Sequence, residues 1–168
     1  MRLIGIIGLA LLWAVMVLAL GKRRLQAQAT RVTAAWSGVQ AALETRHDLG
    51  RRLVANAARP DDAPILALHD MLTQAEFVSG FAMKALTENQ LSRGLRAALA
   101  VGGDEVFAEA AAALTGAFEA IQRAADDYNA QVRDYNAARE RQSIVARFFR
   151  YEPREEFCLE PIAEGEQH

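Results

Sequence analysis

The sequence predicts an all-α protein: an N-terminal transmembrane helix followed by an elongated antiparallel three- or four-helix up-down bundle. Three observations carry that expectation. Residues 3–20 read LIGIIGLALLWAVMVLAL, 18 consecutive residues without a charged or strongly polar group. The rest is rich in Ala, Leu, Arg, Glu and Gln and lacks β-branched runs, which favours helix nearly throughout. Apolar residues recur at alternating steps of four and three, which lays them along one stripe of a helix.

Length and composition set the outer bounds. The chain has 168 residues, 52% apolar and 24% charged, which suits one domain and excludes a wholly disordered chain. Its net charge of −2 argues against a general nucleic-acid binder. A single cysteine, Cys158, excludes an intramolecular disulfide framework and any Cys-based zinc site.

The apolar run comes first. About 20 helical residues span a bilayer core, with a range of roughly 17–25. Arg2 precedes the run and Lys22, Arg23 and Arg24 follow it. The positive-inside bias then places the following domain in the cytoplasm, on a single-pass anchor in the cell (inner) membrane. A cleaved signal peptide is the competing reading, with Ala27-Gln28-Ala29 as a small-x-small site and a periplasmic domain as its consequence. The run exceeds the usual apolar core of about 7–15 residues, and basic residues stand between it and that site, so the anchor is preferred. The expected organisation is an anchor at 1–21, a bundle at 22–157 and a disordered acidic tail at 158–168.

Breakers divide the bundle. Arg59-Pro60-Asp61-Asp62-Ala63-Pro64 is one break and Val101-Gly102-Gly103-Asp104 another. Pro64 suits a first helical turn, the glycine pair can end a helix, and Asp104 can cap the next. Segments 22–58, 64–100 and 104 to about 144 remain, each roughly 55–60 Å long as helix. Matched lengths and short loops are what an up-down bundle requires.

Each segment carries its stripe. In the first, Leu25, Ala29, Val32, Trp36, Val39, Leu43, Arg46, Gly50, Leu53 and Ala57 follow the 4-3 rule, with Arg46 and Gly50 as its two non-apolar members. In the third, Phe107, Ala111, Leu114, Phe118, Ile121, Ala125, Tyr128, Val132 and Tyr135 do the same. The second fits at Ile65, Leu68, Leu72, Ala75, Ala82 and Leu86, then shifts to Leu91, Leu95 and Leu99. Gly80 and Asn89 are candidate kinks, and a break at either makes four helices. After the third segment come Phe148, Phe149, Tyr151 and Phe157, which are expected to fold back on the bundle rather than form an exposed patch.

Charge is uneven. Residues 22–59 hold eight basic side chains against Glu44 and Asp48, while 152–168 hold six glutamates against Arg154. Basic residues next to the anchor can meet anionic headgroups at about 1 kcal/mol each. Arg46 to Arg59 read as an ordinary solvated face.

Candidate chemistry is sparse. His47-Asp48 and His69-Asp70 are two HD dipeptides of the kind metal phosphohydrolases use, but further ligands are lacking, and adjacent residues diverge by about 100° on a helix. If the first two segments pack antiparallel about residues 61–62, His47 faces Glu76. The preferred reading has Arg46 and Asp48 in surface ion pairs and His47 at a partly buried contact. Tyr128-Asn129 and Tyr135-Asn136 repeat seven residues apart, so the tyrosines share one stripe and the asparagines another. Core specification is the preferred reading and a binding surface the alternative. Trp36 is expected on the facing stripe, in the core. No serine has a nucleophile-elbow context, Cys158 has no fixed base, and no phosphate loop occurs. No catalytic residue, metal or cofactor is assigned.

Val32-Thr33-Ala34-Ala35-Trp36-Ser37-Gly38-Val39, with Arg46-His47-Asp48-Leu49 and Leu53-Val54, resembles the first conserved block of the LemA family, V-x-x-A-W-S-x-I leading to R-[YH]-D-L-I-P-N-L-V. Tyr128-Asn129-Ala130-Gln131-Val132-Arg133-Asp134-Tyr135-Asn136 resembles its second, Y-N-x-x-V-x-x-Y-N. Gln90-Leu91-Ser92 and the stretch Phe148 to Pro153 also sit where that family has similar residues. The likeness covers about residues 28–157. Gln26-Ala27-Gln28 and Gly50-Arg51-Arg52 depart from it, as does Phe118 to Gln122, so the chain reads as a divergent member. The resemblance implies a membrane-anchored helical bundle of a family for which no general enzymatic activity is established.

The expected function is therefore a non-catalytic scaffold or adaptor holding a membrane or cytosolic protein partner at the lipid bilayer. Self-association is possible, and no nucleic acid is implied. The alternatives are an exported, periplasmic metal-binding factor or enzyme, and an accessory subunit of a membrane protease or transporter.

Overall fold

The computed structural model describes residues 2–159, with side chains described at 8 and 9 and from 11 onward. It contains helices α1 (Arg2–Ala55), α2 (Ala63–Phe77), α3 (Phe81–Leu99), α4 (Glu105–Arg141) and α5 (Ser143–Phe148). Among the described residues there is no strand, only an isolated bridge between Ala57 and Gly103. The all-α expectation holds.

The breaks have identifiable causes. At the end of α1, Asn56 Nδ2 donates to the Arg52 carbonyl at 2.8 Å, and Pro60 lies just beyond. Asp62 is the N-cap of α2, with Pro64 in its first turn. Gly80, at φ 95°, separates α2 from α3, so the second expected segment is two helices. Asn89 does not interrupt α3. Asp104 Oδ1 accepts from Phe107 N–H at 2.9 Å and so caps α4. Glu105 in the first turn and Arg139 and Arg141 in the last complement the helix dipole of α4.

The chain divides into two compact units, residues up to 35 with 129–156, and residues 36–128 with Phe157 onward. In the second unit α2 packs on α3, and Leu53, Ile65, Leu68, Leu72, Leu91, Leu95, Phe107 and Leu114 fill the core. Both non-apolar members of the first stripe are buried here. Gly50 lies so close to Leu72 that an added Cβ would stand 3.1 Å from its Cδ2. Leu86 is 47% exposed and Ala82 is exposed, so the second stripe fails after the break and resumes at Leu91. Two loops join backbone to backbone, Ala58 N–H to Gly102 O at 3.1 Å and Asp104 N–H to Asn56 O at 3.3 Å. A Cβ at Gly103 would stand 2.4 Å from Asn56 O, so the approach requires glycine there.

In the first unit Leu25, Val145 and Ala146 form a small core with Leu18, Ala138, Phe149 and Tyr151 around it. α5 ends in a left-handed residue, Arg150 at φ 54°. Tyr151 N–H reaches Ala146 O at 2.9 Å and Arg150 N–H reaches Arg147 O at 3.4 Å, the paired bonds of a Schellman cap. That cap turns residues 151–156 back along α4.

α1 continues through Gly21, the one candidate breaker between the apolar run and the segment after it, so the two form one helix. Among the described residues no helix is long and apolar enough to cross a membrane. The run at 3–20 expected to do so lies partly outside the described side chains, and most of the expected disordered tail, residues 160–168, lies outside the described residues.

Candidate functional site

The densest polar cluster is buried in the second unit. Arg46, on the α1 stripe, is 1% exposed, and Glu88, on α3, is 0% exposed. Arg46 Nη2 donates to Glu88 Oε2, and His47 Nε2 lies 3.0 Å from that same oxygen. Arg46 Nη1 donates to Ser92 Oγ at 2.6 Å, and Ser92 Oγ donates to the Glu88 carbonyl at 2.9 Å. The Phe118 ring lies 5.8 Å from the guanidinium carbon. Thus α1, α3 and α4 converge on one ion pair.

Its electrostatics follow from burial and pairing. Burial pushes the Glu88 carboxyl up, but the hydrogen bond and charge of His47, with those of Arg46, outweigh it and hold the group below its ordinary value. Burial lowers the Arg46 pKa, opposed by the Glu88 charge and hydrogen bond. Glu88 Oε1 and Arg46 Nε are buried without a hydrogen-bond partner. A cavity of about 10 Å³ lies beside Arg46, Ser92 and Phe118, about the space of one water. The arrangement neutralises and orients charge; it does not present a nucleophile to an open cleft.

These positions correct two expectations, for Arg46 and for the residue opposite His47, and leave Asp48 in the surface ion pair expected of it. Arg46 is a buried partner, not a surface one. His47 meets Glu88, and Glu76 instead pairs with Arg51, at 2.5 Å. Asp48 is exposed and accepts from Arg51 Nη1 at 2.6 Å, whereas His69 and Asp70 are exposed on α2. The hydrogen bond to Glu76 raises the Arg51 pKa, burial opposes it, and the charges of Glu76 and Asp48 add to the rise. Among the described residues no group of three or more His, Cys, Asp or Glu could hold a metal ion.

Sequence reasoning did not single out Glu88. A signal was available: Glu88, Leu91 and Leu95 keep the same 3-4 spacing as the shifted stripe, and an arginine on an apolar stripe requires a buried counter-charge.

A second cluster in the same unit is aromatic. Trp36 lies 4.5 Å from Phe81, 5.3 Å from Tyr128 and 5.2 Å from Phe157, ring centre to ring centre. Tyr128 and Phe157 are buried at 4% and 1%, while Trp36 is half-buried with Lys84 Nζ 5.7 Å from its ring. Trp36 thus sits at the core's edge rather than within it.

In the first unit the second tyrosine–asparagine pair holds the returning segment. Asn136 Oδ1 accepts from Arg154 N–H at 3.0 Å while its Nδ2 donates to Arg154 O at 2.8 Å. Tyr135 Oη donates to Glu152 O at 2.8 Å, and Arg139 Nε donates to Tyr151 O at 2.9 Å. Burial raises the Tyr135 pKa against the opposing charges of Arg154 and Arg139. Tyr128 and Tyr135 are both buried on α4, but one joins the aromatic cluster and the other clasps backbone. Asn129 is half-buried. Of the later aromatics, Phe157 is buried, Phe149 and Tyr151 are half-buried, and Phe148 is 70% exposed, so folding back applies to three of the four.

The family model described as the LemA family matches residues 35–167, most of the chain. The match takes in Trp36, the Arg46-His47-Asp48 stretch, Glu88 and both tyrosine–asparagine pairs. No curated protein matches the chain.

Proposed function

The chain belongs to the LemA family, and we propose that it is a membrane-anchored helical bundle acting as a non-catalytic scaffold or adaptor. One observation carries the anchor. On α1, Leu9, Leu11, Leu12, Trp13, Val15, Met16, Val17 and Leu20 are between 41% and 70% exposed. A helix that is apolar on all sides suits hydrocarbon, since burying each such side chain contributes about 1.5–3 kcal/mol. Lys22, Arg23 and Arg24 follow directly, which favours a cytoplasmic bundle at the cell (inner) membrane.

The scaffold reading is supported by the use of the polar groups. Arg46, Glu88, Ser92, Tyr135 and Asn136 hold one part of the fold to another. The partner is a membrane or cytosolic protein, with a second copy of the chain as the alternative.

Alkaline washing of membranes from cells making the full chain tests the anchor. Retention in the pellet supports it, and release into the supernatant overturns it. Purification in mild detergent tests the scaffold: a stoichiometric partner supports it, and a monomer with hydrolytic activity overturns it.

A further inference from the structure

We propose that the first unit binds one anionic phospholipid in the groove where α5 lies against α1. The proposal rests on the anchor reading above. Val145 and Ala146 of α5 pack on Leu25, with Leu18 beside them. α5 therefore straddles the last turn of the apolar run and the first turn of the Lys22-Arg23-Arg24 stretch, a span of about 10 Å at 1.5 Å per residue. In an anchored chain that is the level of the lipid headgroups.

The groove there has a volume of about 450 Å³. Its walls are apolar at Val17, Leu20 and Ile144, and Arg24 and Arg141 also line it. Ile144 and Phe148, four residues apart on one face of α5, stand 77% and 70% exposed. Gln142, also lining the groove, has a buried Oε1 without a hydrogen-bond partner. Gly21 permits the close approach, since a Cβ there would stand 2.8 Å from Val145 Cγ2 and 3.0 Å from Gln142 Oε1.

The charge is complementary to an anion. Residues 17–31 contain Lys22, Arg23, Arg24 and Arg31 and no acid, and 139–151 contain four arginines against Glu140 alone. A phosphodiester fits between Arg24 and Arg141, with acyl chains along Val17, Leu20 and Ile144. Zwitterionic phosphatidylcholine does not offer the net negative charge.

The test is native mass spectrometry of the full chain in mild detergent, titrated with phosphatidylglycerol or phosphatidylcholine of identical acyl chains. One phosphatidylglycerol should be retained, with at least about tenfold preference. The Arg24→Gln/Arg141→Gln double variant should lose that preference while keeping its helical spectrum and its retention in alkali-washed membranes. Equal retention of the two lipids, or an unchanged preference in the double variant, overturns the site. Release of the unaltered chain by the alkaline wash overturns the anchor reading instead, so the two failures are distinguishable.

Discussion

Arg46 donates to Glu88 inside the second unit, with side chains only 2% and 1% exposed. A pair this deep is costly to desolvate and more costly to break from one side, by about 3–5 kcal/mol. Glu88→Gln or Arg46→Met should each destabilise the fold by that order in urea denaturation. Arg46→Met/Glu88→Leu should recover part of the loss, because both members of the pair are removed together while His47 loses its Glu88 contact. Additive losses in the double variant would show that the two side chains do not act as a pair.

Acid should act on the same carboxylate. The folded state holds the Glu88 pKa below its ordinary 4.5. The stability this contributes is present in full above that ordinary value and is lost as pH falls through the lower folded one. Stability measured from pH 6 downward should therefore decline more steeply in the unaltered chain than in Glu88→Gln, below about pH 4.5. Parallel curves would place the acid-sensitive groups elsewhere.

The clasp on the returning segment should loosen locally. Asn136→Ala removes both bonds to the Arg154 backbone, and Tyr135→Phe removes the donor to Glu152 O. Each lost bond contributes about 0.5–1.5 kcal/mol. Trypsin should cut after Arg154 several-fold faster in Asn136→Ala, with global melting little changed. Unchanged cleavage would mean that Tyr135, Arg139 and the Schellman cap at Arg150 hold the segment without Asn136.

Much of the architecture was legible because it follows from periodicity and punctuation. The 4-3 stripes on α1 and α4 mark faces that are in fact buried, and Asp104, Pro64 and Gly80 act where their backbone chemistry places them. The polar cluster was less legible. Arg46 interrupts an apolar stripe, and a stripe interruption reads equally as a solvated position or as one half of a buried pair. Only the partner decides, and Glu88 is 42 residues away. Antiparallel pairing about residues 61–62 places Glu76 opposite His47, but the turn at Gly80 makes α3 a separate helix, and its Glu88 meets Arg46 and His47 instead. The backbone clasp by Asn136 was also hidden, since a helical asparagine carries no mark of an irregular segment returning to it.

The central claim is a helical bundle anchored across a membrane with its exposed Cys158 on the cytoplasmic side. Cys158 is the only cysteine of the chain, so it reports its own side. The decisive measurement is its labelling by a membrane-impermeant maleimide in sealed vesicles of known orientation. The account predicts labelling in inside-out vesicles and, in right-side-out vesicles, only after permeabilisation. Labelling of intact right-side-out vesicles would contradict it.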